Sequence, residues 1–188
     1  MDEKKGKEKL GCHCVLALEL VLGLLVNLLV GCATQMTVTP QLEKTDIAGF
    51  HVKGKVIYEG KREYLPRTIS EAPESNVGLI FRYSYQEVQK RGDSREAAAL
   101  FNPLTIVGFP TGGTSSTILG RLDALKGSNL LKSYTSTCSL EVTRTIFSDG
   151  ESFSELRRKG LIAVRDNIEI QMYQDKEFLE KASKDESR

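Results

Sequence analysis

Chemistry has few places to reside in this sequence. The segment Gly108-Phe109-Pro110-Thr111-Gly112-Gly113-Thr114-Ser115 carries the glycine spacing of a phosphate loop, G-x-x-x-x-G-K-[ST]. In such a loop, backbone N–H groups cradle phosphates and the lysine reaches the β- and γ-phosphates. Here Thr114 stands where the lysine would be, no buried strand precedes the loop and no clear helix follows. The glycines and prolines therefore read as turn formers. His51 sits near the start of an alternating segment beside Lys53 and Lys55. A Ser-His-Asp or Cys-His site would have to use it, but no partner is identifiable, so a solvent-facing or capping histidine is expected. Acidic pairs are scattered and none is arranged around an evident cleft. Neither a cofactor nor catalysis is expected from these residues.

The N-terminus is more specific. Lys4, Lys5, Lys7 and Lys9 form a basic start, diluted by Asp2, Glu3 and Glu8, and an apolar run follows from Val15 to Val30. It is shorter than the ~20 apolar residues a spanning helix needs, and Glu19 and Asn27 interrupt it. A basic start, a short apolar core and a small residue before the cut are the parts of a secretory signal peptide. The run ends in Leu29-Val30-Gly31-Cys32. This resembles the bacterial lipobox, in which a branched apolar residue and a small residue precede a lipid-modified cysteine. The resemblance covers only the first 32 or so residues. It implies that residues 1–31 are removed and that Cys32 is the acylated first residue of the mature protein. Two or three acyl chains make a lasting anchor where one would not. Ala33 follows, rather than the aspartate that tends to hold such proteins at the inner membrane. The resemblance thus leans towards the outer membrane, facing the periplasm. An uncleaved signal anchor with a chance Gly-Cys is the alternative.

The cysteine count changes accordingly. Cys12 and Cys14 flank His13 in a spacing that invites a metal, but they would leave with the signal peptide. One histidine and one free thiol cannot close a zinc site, so no metal is expected. Cys138 would remain without a disulfide partner and reads as a small buried apolar residue. The net charge of +1 and the lack of any Lys/Arg-rich block give no footing for nucleic acid.

Two stretches offer surfaces rather than chemistry. Arg157, Arg158, Lys159 and Arg165 make the C-terminal segment basic on one side. That is a solvated helix face or a docking surface for an acidic partner or phospholipid headgroups. Leu100, Phe101, Leu104, Ile106, Val107 and Phe109 crowd a short segment broken by Pro103 and Pro110. So many apolar groups either fold inward as core or form a wedge that meets a membrane or a partner. Phe101, Leu104, Ile106, Val107 and Phe109 are the candidate contacts.

The elements that would position these residues follow from periodicity. Residues 32–48 are polar and aperiodic and read as the lipidated N-terminus and tether. One globular domain is expected over 49–182, with a frayed tail at 183–188. Alternation predicts strands at about 50–59 and 77–85. Between them, two prolines mark a surface connection. Asp93 or Ser94 would cap a short helical turn. Residues 115–147 read as a hairpin turning at Lys126-Gly127-Ser128-Asn129. Ser148-x-x-Glu151 and Ser152-x-x-Glu155 are overlapping capping boxes. Phe153, Leu156, Gly160, Ala163, Val164 and Ile168 then recur at helical spacing. The expected fold is α+β: a small antiparallel sheet with one long amphipathic C-terminal helix packed on it. The expected function is a non-catalytic binding or envelope-assembly module on a lipid-anchored protein. The alternatives are a carrier of an apolar or lipid ligand and, with less support, a small periplasmic hydrolase.

Overall fold

Gly127 adopts φ +59 at the two-residue turn Gly127-Ser128, a left-handed conformation that glycine takes without steric cost. Around it the chain folds into two long antiparallel arms, β5 (Gly112–Lys126) and β6 (Asn129–Arg144). The structure is a computed structural model that describes residues 34–72, 78–91, 112–144 and 152–184. The chain separates into two compact units. One comprises Met1–Thr34, Gly92–Gly113 and Val142–Gly150, of which only strand ends are described. The other, Gln35–Arg91, Thr114–Glu141 and Glu151–Arg188, holds the core and is the unit described below.

The remaining strands are β1 (Thr34–Thr39), β2 (Val52–Ile57), β3 (Ile69–Glu71) and β4 (Ile80–Arg91), and a 3-10 turn at Arg62–Tyr64 joins β2 to β3. They form a six-stranded sheet in the order β1-β6-β5-β4-β2-β3. β4 pairs antiparallel with β5, Phe81 opposite Ala124 and Gly120 opposite Tyr85. β2, however, runs parallel to both neighbours, with Val56 beside Phe81 and Val52 beside Ile69. Two helices close the chain, α1 (Phe153–Gln174) and α2 (Lys176–Lys184), separated at Asp175.

This overturns the expected fold class. The sheet is six-stranded and mixed, not small and antiparallel, and two helices stand where one long helix was expected. The cause is non-local. The proline-containing stretch taken as a surface connection carries the 3-10 turn and β3, and this crossover brings β3 back parallel to β2. Residues 34–39, read as part of the tether, form β1 at the sheet edge. The helix stops because Asp175 leaves helical geometry at φ −99, ψ 19.

The core lies between one sheet face and α1. Inward positions alternate along the strands: Phe81 and Tyr83 on β4, Ile118, Leu122 and Ala124 on β5, Tyr134, Cys138 and Leu140 on β6. Leu156, Leu161, Val164, Ile168 and Met172 of α1 are each 1% exposed or less. Two glycines set the approach. A Cβ on Gly120 of β5 would run into the Val164 side chain, and one on Gly160 of α1 would meet Ile118 at 2.8 Å and Leu140 at 3.0 Å. A missing side chain on each surface lets strand and helix close together. Arg165 departs from the sequence reading, which placed it on a basic side open to solvent or to a partner: it is 8% exposed.

Candidate functional site

α1 is fixed at its start by the second of the two capping boxes. Ser152 is the N-cap, its hydroxyl accepting from the Glu155 backbone N–H at 3.3 Å, which satisfies one of the free donors of the first turn. Beside the core stripe, Ala163, Asp166, Asn167 and Ile170 follow at spacings of three and four, so they share a second helix face.

Two links from that face hold the chain around β1 and β6. Asn167 donates its amide N–H to the Pro40 carbonyl at 2.8 Å. Gln171 donates to the Thr135 carbonyl of β6 at 2.8 Å and to the Asn167 amide oxygen at 2.9 Å. The segment after β1 is thereby carried alongside α1. A groove of about 430 Å³ results. Its apolar lining is Met36 and Val38 from β1, Ile47 from the following segment, and Ala163 and Ile170 from α1. Met36 is 47% exposed, and the other four are half-buried.

The polar part of the groove is an ion network. Glu169 has no exposed surface, yet it accepts from the Arg67 backbone N–H and, at 2.9 Å, from the Arg67 guanidinium. Arg165 lies 3.9 Å from Glu169 and binds Asp166 at 2.6 Å, while a further N–H donates to the Glu63 carbonyl. Arg67 also reaches Asp166 at 3.3 Å. A buried carboxylate is tolerable only when paired and hydrogen-bonded, and here two guanidiniums and a backbone donor surround it. The Glu169 contact raises the Arg67 pKa above its ordinary value. Arg67, although two-thirds exposed, is thus held in one place on the groove rim, with Lys44 and Thr45 on the facing segment.

A second cavity, of about 470 Å³, lies where β2 ends beside β4. Tyr58, Tyr83 and Tyr85 line it with Glu59 and Arg82. Tyr58 and Tyr83 pack ring to ring at 5.2 Å. Burial, reinforced by the neighbouring Tyr85 and Tyr64 phenols and by Glu63, pushes Tyr58 up to about 12, and burial raises Tyr83 further. These phenols stay neutral at neutral pH. The groove is the stronger candidate, because its half-exposed apolar side chains meet a fixed charged rim, the combination expected of a ligand or partner site.

Of the residues singled out in the sequence, Cys32, Phe101, Leu104, Ile106, Val107 and Phe109 lie outside the described residues, as do the proposed caps Asp93 and Ser94. His51 is exposed at the residue before β2. Cys138 is fully buried among core side chains, and burial pushes its thiol up to about 11. Among the described residues, no group of His, Cys, Asp and Glu could hold a metal, and no helix is long and apolar enough to cross a membrane. Sequence reasoning missed the groove. Its residues come from four separated segments, and the one local signal was the second helix face at Ala163, Asp166 and Ile170. Searches with the sequence matched no protein-family model and no curated protein.

Proposed function

We propose that this chain is a lipid-anchored envelope protein whose globular unit is a non-catalytic binding module, with the groove beside α1 as its contact surface. By the lipobox resemblance, its place is the periplasmic face of the outer membrane. One observation carries the reading: β1 begins at Thr34, two residues after Cys32. Each extended residue spans at most ~3.6 Å, so an acyl anchor on Cys32 leaves little free chain before β1. Met36 and Val38, which line the groove, belong to that same strand. The stretch expected to act as a tether gives the protein no long leash, and the bound surface works next to its anchor.

The test is the mass of the protein taken from its native membrane. Loss of residues 1–31 with a diacylglyceryl addition on Cys32 is expected, and Cys32→Ser should accumulate as an unacylated precursor. Wild-type protein retaining residues 1–31 without acyl mass would end this reading. A carrier of apolar ligands, by contrast, would release from the membrane with lipid bound. Lipid co-purifying with soluble protein would favour that alternative.

A further inference from the structure

We infer that a second copy of this chain pairs with the free edge of β4, antiparallel and about a two-fold axis at Val88. This contact uses neither the groove nor the anchor. Lys55 of β2 donates its backbone N–H to the Leu79 carbonyl at 2.9 Å, and Ile57 stands beside Arg82. Along a strand, the N–H and C=O of one residue point to the same side and those of the next residue to the other. The odd-numbered residues of β4 therefore face β2. β2 ends at Ile57, whereas β4 runs on to Arg91. The edge-facing backbone groups of Tyr85, Glu87 and Gln89 thus have no strand opposite them among the described residues. The cavity of about 470 Å³ begins there, lined by Arg82, Tyr83, Ser84 and Tyr85 in succession. Consecutive strand residues point to opposite sheet faces, so the cavity lies in the plane of the sheet, where a further strand would run.

Along its middle, this edge lacks the usual blunting. Bulges, prolines and unmatched charges are the devices that keep a sheet edge from pairing with another chain. β4 contains no proline, and its register against β5 is unbroken from Ile80 opposite Leu125 to Arg91 opposite Thr114. Between Ser84 and Gln89 the one charged residue is Glu87. Its carboxylate is matched by Arg157 at 2.5 Å and accepts from the Ser116 hydroxyl at 3.2 Å. Val88, 61% exposed, is the most exposed large apolar side chain among the described residues. The same residues select the register. An axis at Glu87 would set that carboxylate opposite its own copy. An axis at Gln86 would bring Arg91 of the copy opposite Phe81, where β2 already pairs through Val56. An axis at Val88 avoids both: Val88 meets Val88, and Glu87 stands opposite Gln89. The basic residues at the end of β4, Lys90 and Arg91, then fall opposite the uncharged Gln86 and Tyr85. The edge-facing pairs would exchange about eight backbone hydrogen bonds, against the ~10 direct hydrogen bonds of a standard interface.

The test uses the full-length protein in mild detergent. Sedimentation equilibrium should show monomer and dimer in exchange, and hydrogen exchange at the Tyr85, Glu87 and Gln89 amides should slow as the protein is concentrated. Val88→Lys sets two like charges across the axis and should weaken the dimer about tenfold or more, since like charges juxtaposed in an interface are costly. Val88→Glu should do the same. Mixing the two variants should restore a dimer as the mixed species, because position 88 of one copy meets position 88 of the other. Leu119→Lys, at an exposed position on neighbouring β5, should leave the dimer as it was. Gln89→Pro is an independent variant: it takes a donor from the edge and none from the β5 ladder, and should give a monomer. A wild-type chain that stays monomeric at every concentration would overturn the inference. So would edge amides protected equally at all dilutions, which would mean that the chain covers this edge itself. Val88→Lys and Val88→Glu proteins that dimerise as before, or that gain nothing on mixing, would overturn it as well.

Discussion

At the scale of single residues, the closest helix–sheet approach is set by what is missing. A methyl group on Gly120 has nowhere to go but into Val164, a β-branched side chain with little rotamer freedom. Gly120→Ala should therefore lower stability by ~1–3 kcal/mol, the usual cost of overpacking a core. The double variant Gly120→Ala/Val164→Ala should cost measurably less than the two single changes added together, because the sites share one space. Urea unfolding of the four proteins measures the coupling, and additivity would show that the helix simply shifts away. Burial also leaves a signature in alkali. Tyr58 rises from 10.0 to about 12 and Cys138 from 9.0 to about 11 in the folded protein. Both are raised, so each favours folding fully below its unfolded pKa, and that contribution is lost as pH climbs through the folded value. The urea midpoint should hold steady up to about pH 9 and fall between there and pH 12. Tyr58→Phe with Cys138→Ala should flatten the decline; an unchanged slope would mean that neither group is desolvated.

Among the elements, α1 carries both the core stripe and one side of the groove, so its two faces should respond differently. Leu156 is 1% exposed, and Leu156→Asp places an unmatched charge in the core, at an expected cost of ~3 kcal/mol or more. Arg158 is 62% exposed and pairs loosely with Glu63 at 3.5 Å. Arg158→Asp should cost about 1 kcal/mol or less, as exposed ion pairs contribute little. Equal shifts in the denaturation midpoint would contradict this placement of the helix. The rim predicts a third behaviour. Arg67→Ala strips Glu169 of the nearer of its two guanidiniums and should cost ~2 kcal/mol, and Glu169→Gln in the same chain should recover part of it. This division also marks what could be read from sequence. The hairpin of β5 and β6 and the start of α1 rest on local signals, namely alternation, Gly127-Ser128 and the Ser152–Glu155 capping box, and those are visible in any short window. The parallel pairing of β2 with β3 and β4 depends on contacts between distant segments, for which a three-residue strand such as Ile69–Glu71 carries no periodic trace. β1 was hidden by its polarity: an edge strand exposed at nearly every position needs no alternation. The groove was illegible for the same reason, since Met36, Lys44, Arg67 and Ile170 meet only after the sheet has formed.

For the whole molecule, the distance between anchor and groove becomes the controlling variable. A short join holds the groove at a high effective concentration of bilayer lipid, and this concentration falls as a flexible linker lengthens. Inserting a ten-residue Gly/Ser spacer after Ala33 tests the point without touching a core residue. Acylation and flotation should be unchanged, because Cys32 and the residues before it are kept. The denaturation midpoint should move by no more than about 0.5 kcal/mol of stability, the usual range for changes away from packed features. In phosphatidylcholine vesicles with brominated chains, quenching of a single tryptophan at Met36 (Met36→Trp, the chain having none of its own) should fall on insertion of the spacer, as expected if proximity rather than shape was lost. A spacer that leaves the quenching intact would show that Met36 meets the bilayer whatever the length of the join, and the short join would then have no part in the reading.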